Sequence, residues 1–200
     1  GHHEVARAYV LYRERRAQER LAKGEVDIVA GNIQDAGLTV LEGGQRVPLD
    51  MGKLAALITS SCANLGADVK PEPIIAETKR NLYDGVPMDE VYKAAILAAR
   101  TLIEKEPDYT YATARLLLHT IAKEVLGETV SLPELAERYA DYFPQFIKQG
   151  ADAELLDERL LQFDLARLGA ALKPERDLQF DYLGLQTLYD RYFLHVRKQR

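Results

Sequence analysis

The sequence predicts a mainly α fold: a small β-hairpin leading into a helical bundle, followed by further packed helices. Three observations carry this. The stretch Leu38-Thr39-Val40-Leu41 alternates in the manner of a strand, Glu42-Gly43-Gly44-Gln45 supplies a turn, and Arg46-Val47-Pro48-Leu49 resumes an extended pattern. After Asp50 come four segments with helical spacing, punctuated by Leu82-Tyr83-Asp84-Gly85 and by Pro107-Asp108-Tyr109-Thr110-Tyr111. Beyond Gly127 the apolar residues again fall at helical intervals, opened by the capping-box pattern Ser131-Leu132-Pro133-Glu134.

Each element has a local cause. Gly43-Gly44 gives positive φ without a Cβ penalty, which a tight connection between short strands requires. Asp50 can cap a helix in which Leu54, Leu57, Ile58 and Leu65 form one stripe with Cys62, so that Cys62 reads as a small core residue rather than a nucleophile. Pro71 and Pro73 suit the first turn of the next helix, which runs to Asn81, because an amide there has no intrahelical partner to lose. Asp84-Gly85 breaks that helix, and another starts at or just before Asp89. Its expected apolar face is Val91, Ala94, Ala95, Ala98, Leu102 and Ile103, small enough for a neighbouring helix to approach closely. Pro107-Asp108 restarts the chain into a helix carrying Ala112, Leu116, His119, Ile121 and Lys123, with His119 expected to be packed or half-exposed. The helix begun at Ser131 is expected to run through Tyr139, Tyr142, Phe143 and Phe146 and to end at Gly150. Glu154 to Leu172 then offers Leu156, Leu160, Phe163 and Leu168 to a core, with Gly169 near its end. Lys173 to Asp177 reads as a turn, and Tyr182 to Lys198 as a final helix whose Tyr189, Tyr192 and Phe193, with Tyr182, serve core or subunit packing.

Composition narrows the function. The 47% hydrophobic content is that of a globular chain with a real core, and 31 acidic against 26 basic residues give a formal charge of -5, which leaves no general basic surface for nucleic acid. The single cysteine excludes a disulfide framework or a cysteine-rich zinc site and fits a reducing compartment. No apolar run approaches the roughly 20 residues that span a bilayer, and a cytoplasmic location is expected. At the start, Val5, Ala8, Tyr9 and Tyr12 share one helical face, while Arg13, Glu14, Arg15, Arg16, Glu19 and Arg20 form a solvated one. Adjacent His2 and His3 are poorly spaced to share a metal from one helix face. The glycine-bearing stretch 24–37 reads as a linker.

The order of these signals resembles the ATP-cone and the region after it in the large (alpha) subunit of class I ribonucleotide reductases. The strings that carry the resemblance are Leu82-Tyr83-Asp84-Gly85, Pro107-Asp108-Tyr109-Thr110-Tyr111-Ala112-Thr113-Ala114-Arg115-Leu116 and Asp177-Leu178-Gln179-Phe180-Asp181-Tyr182, in the family's order. The resemblance implies four parts: residues 1–23 as the last helix of a preceding, truncated cone, 24–37 as a linker, 38–127 as a second cone, and 128–200 as the helical N-terminal part of the catalytic domain. The chain would thus be an internal fragment.

The departures from the family matter as much. Where a working cone has Val-x-Lys-Arg-x-Gly in its hairpin, the corresponding residues here are Leu41 and Glu42, so two phosphate-facing cations become an apolar residue and an anion. Val47 stands at the polar position that approaches base or ribose, and Met88 and Tyr92 replace a short hydroxyl and an imidazole. Lys53 and Lys123 match basic positions of the family and are the candidate nucleotide contacts. Radical reduction needs several cysteines, and no carboxylate pair, Ser/His/Asp set or P-loop stands in for them, so no catalytic residue and no metal site is assigned. The expectation is a regulatory or structural segment of a ribonucleoside-diphosphate reductase, a degenerate cone inactive by itself, without a cofactor of its own. ATP and dATP are implied effectors of the parent; other large subunits and a radical-generating small subunit are its implied partners. Two alternatives stay open: a cone that still binds ATP or dATP through Lys53, Lys123 and backbone amides, and a non-enzymatic regulator that carries a cone.

Overall fold

In the hairpin, β1 (Thr39–Glu42) and β2 (Gln45–Pro48) pair antiparallel, with Val40 opposite Val47 and Glu42 opposite Gln45. Gly43 and Gly44 sit at φ 57° and 81°, the positive values that a two-residue type I′ connection demands of both central residues. The computed structural model describes residues 37–127 and 132–194; the expectations for 1–36, for the cap at Ser131 and for the chain past 194 lie outside these.

A third strand, absent from the sequence reading, completes the sheet. β3 (Val86–Pro87) lies parallel to β1, Val40 beside Val86 and Leu41 beside Pro87, in the order β2-β1-β3. Two residues are too few to show any period. Asp84-Gly85, read as a helix breaker, is also the clamp that places this strand: the Asp84 carboxylate accepts hydrogen bonds from Thr39 N (2.9 Å), Thr39 Oγ1 (2.6 Å) and Arg46 Nη1 (3.0 Å). Gly85 N donates to Thr39 O at 2.8 Å, with Gly85 at φ 76°. Those bonds hold the Asp84 carboxyl below the usual carboxylate range, the Thr39 hydroxyl contributing most.

Helices follow in the expected order. Asp50 caps α1 (Met51–Cys62) by accepting from Lys53 N at 2.9 Å, and Leu54, Ile58 and Cys62 are buried. α2 (Pro71–Asn81) carries Pro71 and Pro73 in its first turn and buries Ile74 and Thr78. The backbone of Lys70 both donates to and accepts from the Tyr109 hydroxyl at 3.0 Å, tying the start of α2 to the start of α4 (Tyr109–Leu126). Between them, α3 (Met88–Thr101) buries Val91, Tyr92, Ala95, Ile96, Ala98 and Ala99. The expected stripe is therefore corrected: Ala94 and Leu102 are only half-buried, and Ile103 lies past the helix end. A helix packed against α2 on one side and α4 on the other buries a wider arc than a single stripe, which brings Tyr92, Ile96 and Ala99 inside. α4 ends on Gly127 at φ 70°, whose N–H returns to Lys123 O at 2.9 Å.

The second half departs further. α5 (Leu132–Asp152) does not stop at Gly150. It stops at Glu154, which takes φ 57°; Leu155 N bonds to Gly150 O (2.9 Å) and Glu154 N to Ala151 O (2.9 Å), the paired bonds of a Schellman stop. Gly150 serves packing instead, since a Cβ there would lie 2.5 Å from Leu156 Cδ1. The leucine-rich stretch is two short pieces, a 3₁₀ turn at Glu158–Gln162 and α6 (Leu165–Ala170), broken by Asp164 capping α6. Phe163 (61% exposed) and Leu168 (45%) face outward rather than into a core, because the break at Phe163-Asp164 resets the helical phase and turns Leu165 inward. The expected turn at Lys173–Asp177 is the N-cap and first four residues of a second 3₁₀ segment, Pro174–Gln179, and α7 covers Tyr182–Arg191, shorter than expected. Tyr192, at 69% exposure, is not core, since the chain leaves the helix there.

The residues described from Leu38 onward form one compact unit. Its hydrophobic core gathers Val40, Leu54, Ile58, Ile74, Val91 and Leu116, and also Leu185 from α7, against which Tyr182 and Tyr189 pack.

Candidate functional site

Helical spacing builds the site. On α3, Asp89 and Tyr92 stand three residues apart and share a face; on α4, His119 and Lys123 stand four apart and do the same. The two faces meet. Lys123 Nζ lies 3.0 Å from Asp89 Oδ1 and 5.2 Å from the centroid of the Tyr92 ring, and the rings of Tyr92 and His119 are 5.0 Å apart at 57°. Tyr92 is 7% exposed and His119 4%. A tyrosine thus occupies the space beside the two basic side chains, and the ammonium is engaged by a carboxylate and an aromatic face at once.

Electrostatics agree with a closed site. Burial pushes the His119 imidazole below its ordinary value, and the neighbouring Lys123 charge pushes it the same way, so both favour the neutral form of the ring. Its Nδ1 has no hydrogen-bond partner among the described residues. A neutral imidazole packed on a tyrosine offers an anion little attraction. Lys123 retains some access to solvent, its side chain being 23% exposed, and the Asp89 side chain is 72% exposed.

The remaining candidates scatter around this cluster. Met88 opens α3 and is half-buried against the core, as is Val47 on β2. Leu41 is 38% exposed at the hairpin and Glu42 is exposed beside it. Lys53 is exposed in the first turn of α1; its backbone N–H serves the Asp50 cap, and no hydrogen bond or ion pair joins its ammonium to Lys123 or Asp89 among the described residues. Sequence reasoning missed Asp89 as the partner of Lys123, and the filling role of Tyr92. Both i,i+3 and i,i+4 pairs were visible, but which helix faces oppose each other is a tertiary fact.

Cys62 is 7% exposed, and burial pushes its thiol up to about 11, with the Arg115 charge offsetting part of this. That is the behaviour of a packing residue rather than a nucleophile. Arg115 itself donates from Nη1 to Ser61 O (3.1 Å) and Ala63 O (2.6 Å), satisfying carbonyls at the end of α1. A second feature lies between α4 and α5, where an apolar groove of about 560 Å³ is lined by Ile121, Val125, Tyr142, Phe146, Leu172 and Phe193, among others.

Known proteins resemble this chain in sequence. Residues 40–124 match the ATP cone domain family. Similarity extends well past the cone: the chain is 37% identical over 196 residues to the ribonucleoside-diphosphate reductase subunit alpha of Chlamydia trachomatis, covering 98% of this chain and 19% of that protein. The likeness to ribonucleoside-diphosphate reductase alpha subunits thus takes in nearly the whole chain. In Helicobacter pylori the subunit of the same name is 30% identical over 159 residues, 78% of this chain and 19% of that protein. The Escherichia coli subunit alpha 1 is 26% identical over 116 residues, 58% and 15% respectively. The chain therefore spans about a fifth of the length of the curated relatives it matches, 19% for the first of them. The matched range runs from Val40, the second residue of β1, through Asp84 and helices α1 to α3 to Glu124 near the end of α4. Among the described residues no helix is long and apolar enough to cross a membrane, and no group of three or more His, Cys, Asp or Glu is placed to hold a metal ion.

Proposed function

We propose that this chain is a non-catalytic regulatory and structural segment of a reductase that converts ribonucleoside diphosphates to deoxyribonucleotides in the cytoplasm, and that its cone is filled by its own side chains instead of by nucleotide. The observation that carries the second half is the wedge of Tyr92 between His119 and Lys123, with Lys123 already paired to Asp89 at 3.0 Å. A nucleotide would have to displace a buried ring, and at the hairpin it would meet Leu41 and Glu42 where two cations would offset that cost. The role left to such a cone is to space and orient neighbouring parts of the subunit and to offer helical faces for assembly with other large subunits and the radical-generating small subunit. The apolar groove between α4 and α5 supports that role, because surfaces of this kind are covered in assembled proteins.

The test is isothermal titration with ATP and with dATP at physiological salt in the presence of Mg²⁺, alongside thermal unfolding. Absence of saturable heat and of ligand-dependent stabilisation is expected; saturable binding by either nucleotide overturns the filled-cone reading. One observation favours a nucleotide-binding alternative: the carboxylate that holds Lys123 is largely solvated and can turn away at little cost. If binding is seen, replacing Lys53 and Lys123 together by alanine should weaken it at least tenfold, and unchanged affinity would sink that alternative. A non-enzymatic cone-bearing regulator is disfavoured, since the likeness to reductase alpha subunits covers 98% of the chain rather than the cone alone.

A further inference from the structure

Lys123 and Glu124 are neighbours on the last turn of α4 and point into different parts of the fold. Lys123 engages Asp89 and the Tyr92 ring inside the cone. Glu124 accepts the Tyr189 hydroxyl of α7 with both carboxylate oxygens, at 2.9 and 2.8 Å. At the other end of α4, Thr110 Oγ1 accepts from the backbone N–H of Tyr182, the first residue of α7, at 3.1 Å. Between these two ties Leu185 is 2% exposed within the cone's own core, and the Arg100 guanidinium at the end of α3 lies 5.7 Å from the Tyr182 ring centroid. Burial and the Glu124 bond push the Tyr189 hydroxyl up to about 12, so it stays a donor across the physiological range.

We propose that α4 is the transmission element between the cone and the helical segment that follows it, with the Tyr189–Glu124 hydrogen bond as its latch. The inference rests on reading the chain as a regulatory segment, but it needs no nucleotide. A change at the Asp89–Lys123 pair alters the last turn of α4, and the residue next along that turn holds α7.

A double-mutant cycle read by amide hydrogen exchange on the whole 200-residue chain tests it. Asp89→Asn breaks the cone-side ion pair at an exposed residue, where the fold should survive, and Tyr189→Phe removes only the latch hydroxyl. In the parent chain, Asp89→Asn is expected to speed exchange in α7 by about threefold, the scale of an exposed ion pair. In the Tyr189→Phe background the same change should leave α7 within about 1.3-fold while still affecting the end of α4. Lys123→Gln supplies a second cone-side perturbation and should give the same pattern. An α7 that responds equally in both backgrounds overturns the latch, and an α7 that ignores both cone-side changes overturns α4 as the transmission element. Either result is independent of the nucleotide titration, which judges the filled-cone reading alone.

Discussion

Replacing Tyr92 by alanine is the sharpest challenge to the filled cone. The side chain is 7% exposed, so truncation removes nearly all of a buried ring from between α3 and α4. Large aromatic-to-alanine changes in cores cost about 3–5 kcal/mol. The ring pair with His119 accounts for roughly 0.5–1.5 kcal/mol of this, and the Lys123 contact for about 0.5–1 kcal/mol at a partly solvated site. Urea unfolding followed by far-ultraviolet circular dichroism should therefore show a loss of about 3–5 kcal/mol with an unchanged m-value. Tyr92→Leu, which keeps most of the apolar volume, should lose only about 1–2 kcal/mol. A nuclear magnetic resonance titration of His119 gives an independent reading in Tyr92→Ala. Opening the site removes part of the burial that depresses the imidazole, so its pKa should rise toward the ordinary histidine value, held back only by Lys123. A stability loss below about 1 kcal/mol together with an unmoved His119 would refute the idea that Tyr92 closes the site.

Three further predictions follow from the same contacts. His119 has a lowered pKa when folded, so the unfolded chain binds the extra proton first as pH falls: its contribution is intact above about pH 6.5 and is lost below that, with a limiting slope of about 1.4 kcal/mol per pH unit. His119→Gln should flatten the urea midpoint between pH 7 and 5, and an unchanged slope would assign it to other groups. Gly169→Ala should destabilise by about 1–3 kcal/mol despite its better helix propensity, because the new Cβ would sit 2.7 Å from Ala140 O, a backbone atom of α5 that cannot swing aside; thermal unfolding checks the sign. Asp84→Asn should raise exchange at the Thr39 amide and loosen β3. In the parent chain that clamp should persist above the usual carboxylate pKa and fail only as pH falls through the lowered folded value, which hydrogen exchange across an acid series would show.

Where local chemistry decides, the sequence was legible. Gly43-Gly44 suited a tight turn, Asp50 had its cap to make, and the prolines at 71 and 73 suited a helix start. Where the outcome is set by partners far along the chain, it was not. β3 exists because Asp84 is bound to Thr39 and Arg46 from the hairpin, 45 and 38 residues away. Gly150 looked like a stop, yet the stop fell at Glu154, a residue type that rarely takes positive φ; the glycine was needed for Leu156 to approach α5. In the leucine-rich stretch, Asp164 restarts the helix, and Leu168 ends up exposed.

The same division explains the candidate site. Reading residue by residue, Lys123 kept a basic position and Tyr92 replaced an imidazole, and these looked like separate gains and losses. Folded, they are one arrangement: the tyrosine packs on His119, the lysine lies over its ring, and Asp89 pairs with the ammonium. A lysine kept at a phosphate position is thus weak support for phosphate binding when the ring centroid of a buried tyrosine on the facing helix lies 5.2 Å from its ammonium. Lys53, exposed and without such a partner among the described residues, is the more informative of the two lysines. If the cone still takes an anion, the Lys53→Ala change alone should weaken it; if the cone is filled, that change should do nothing.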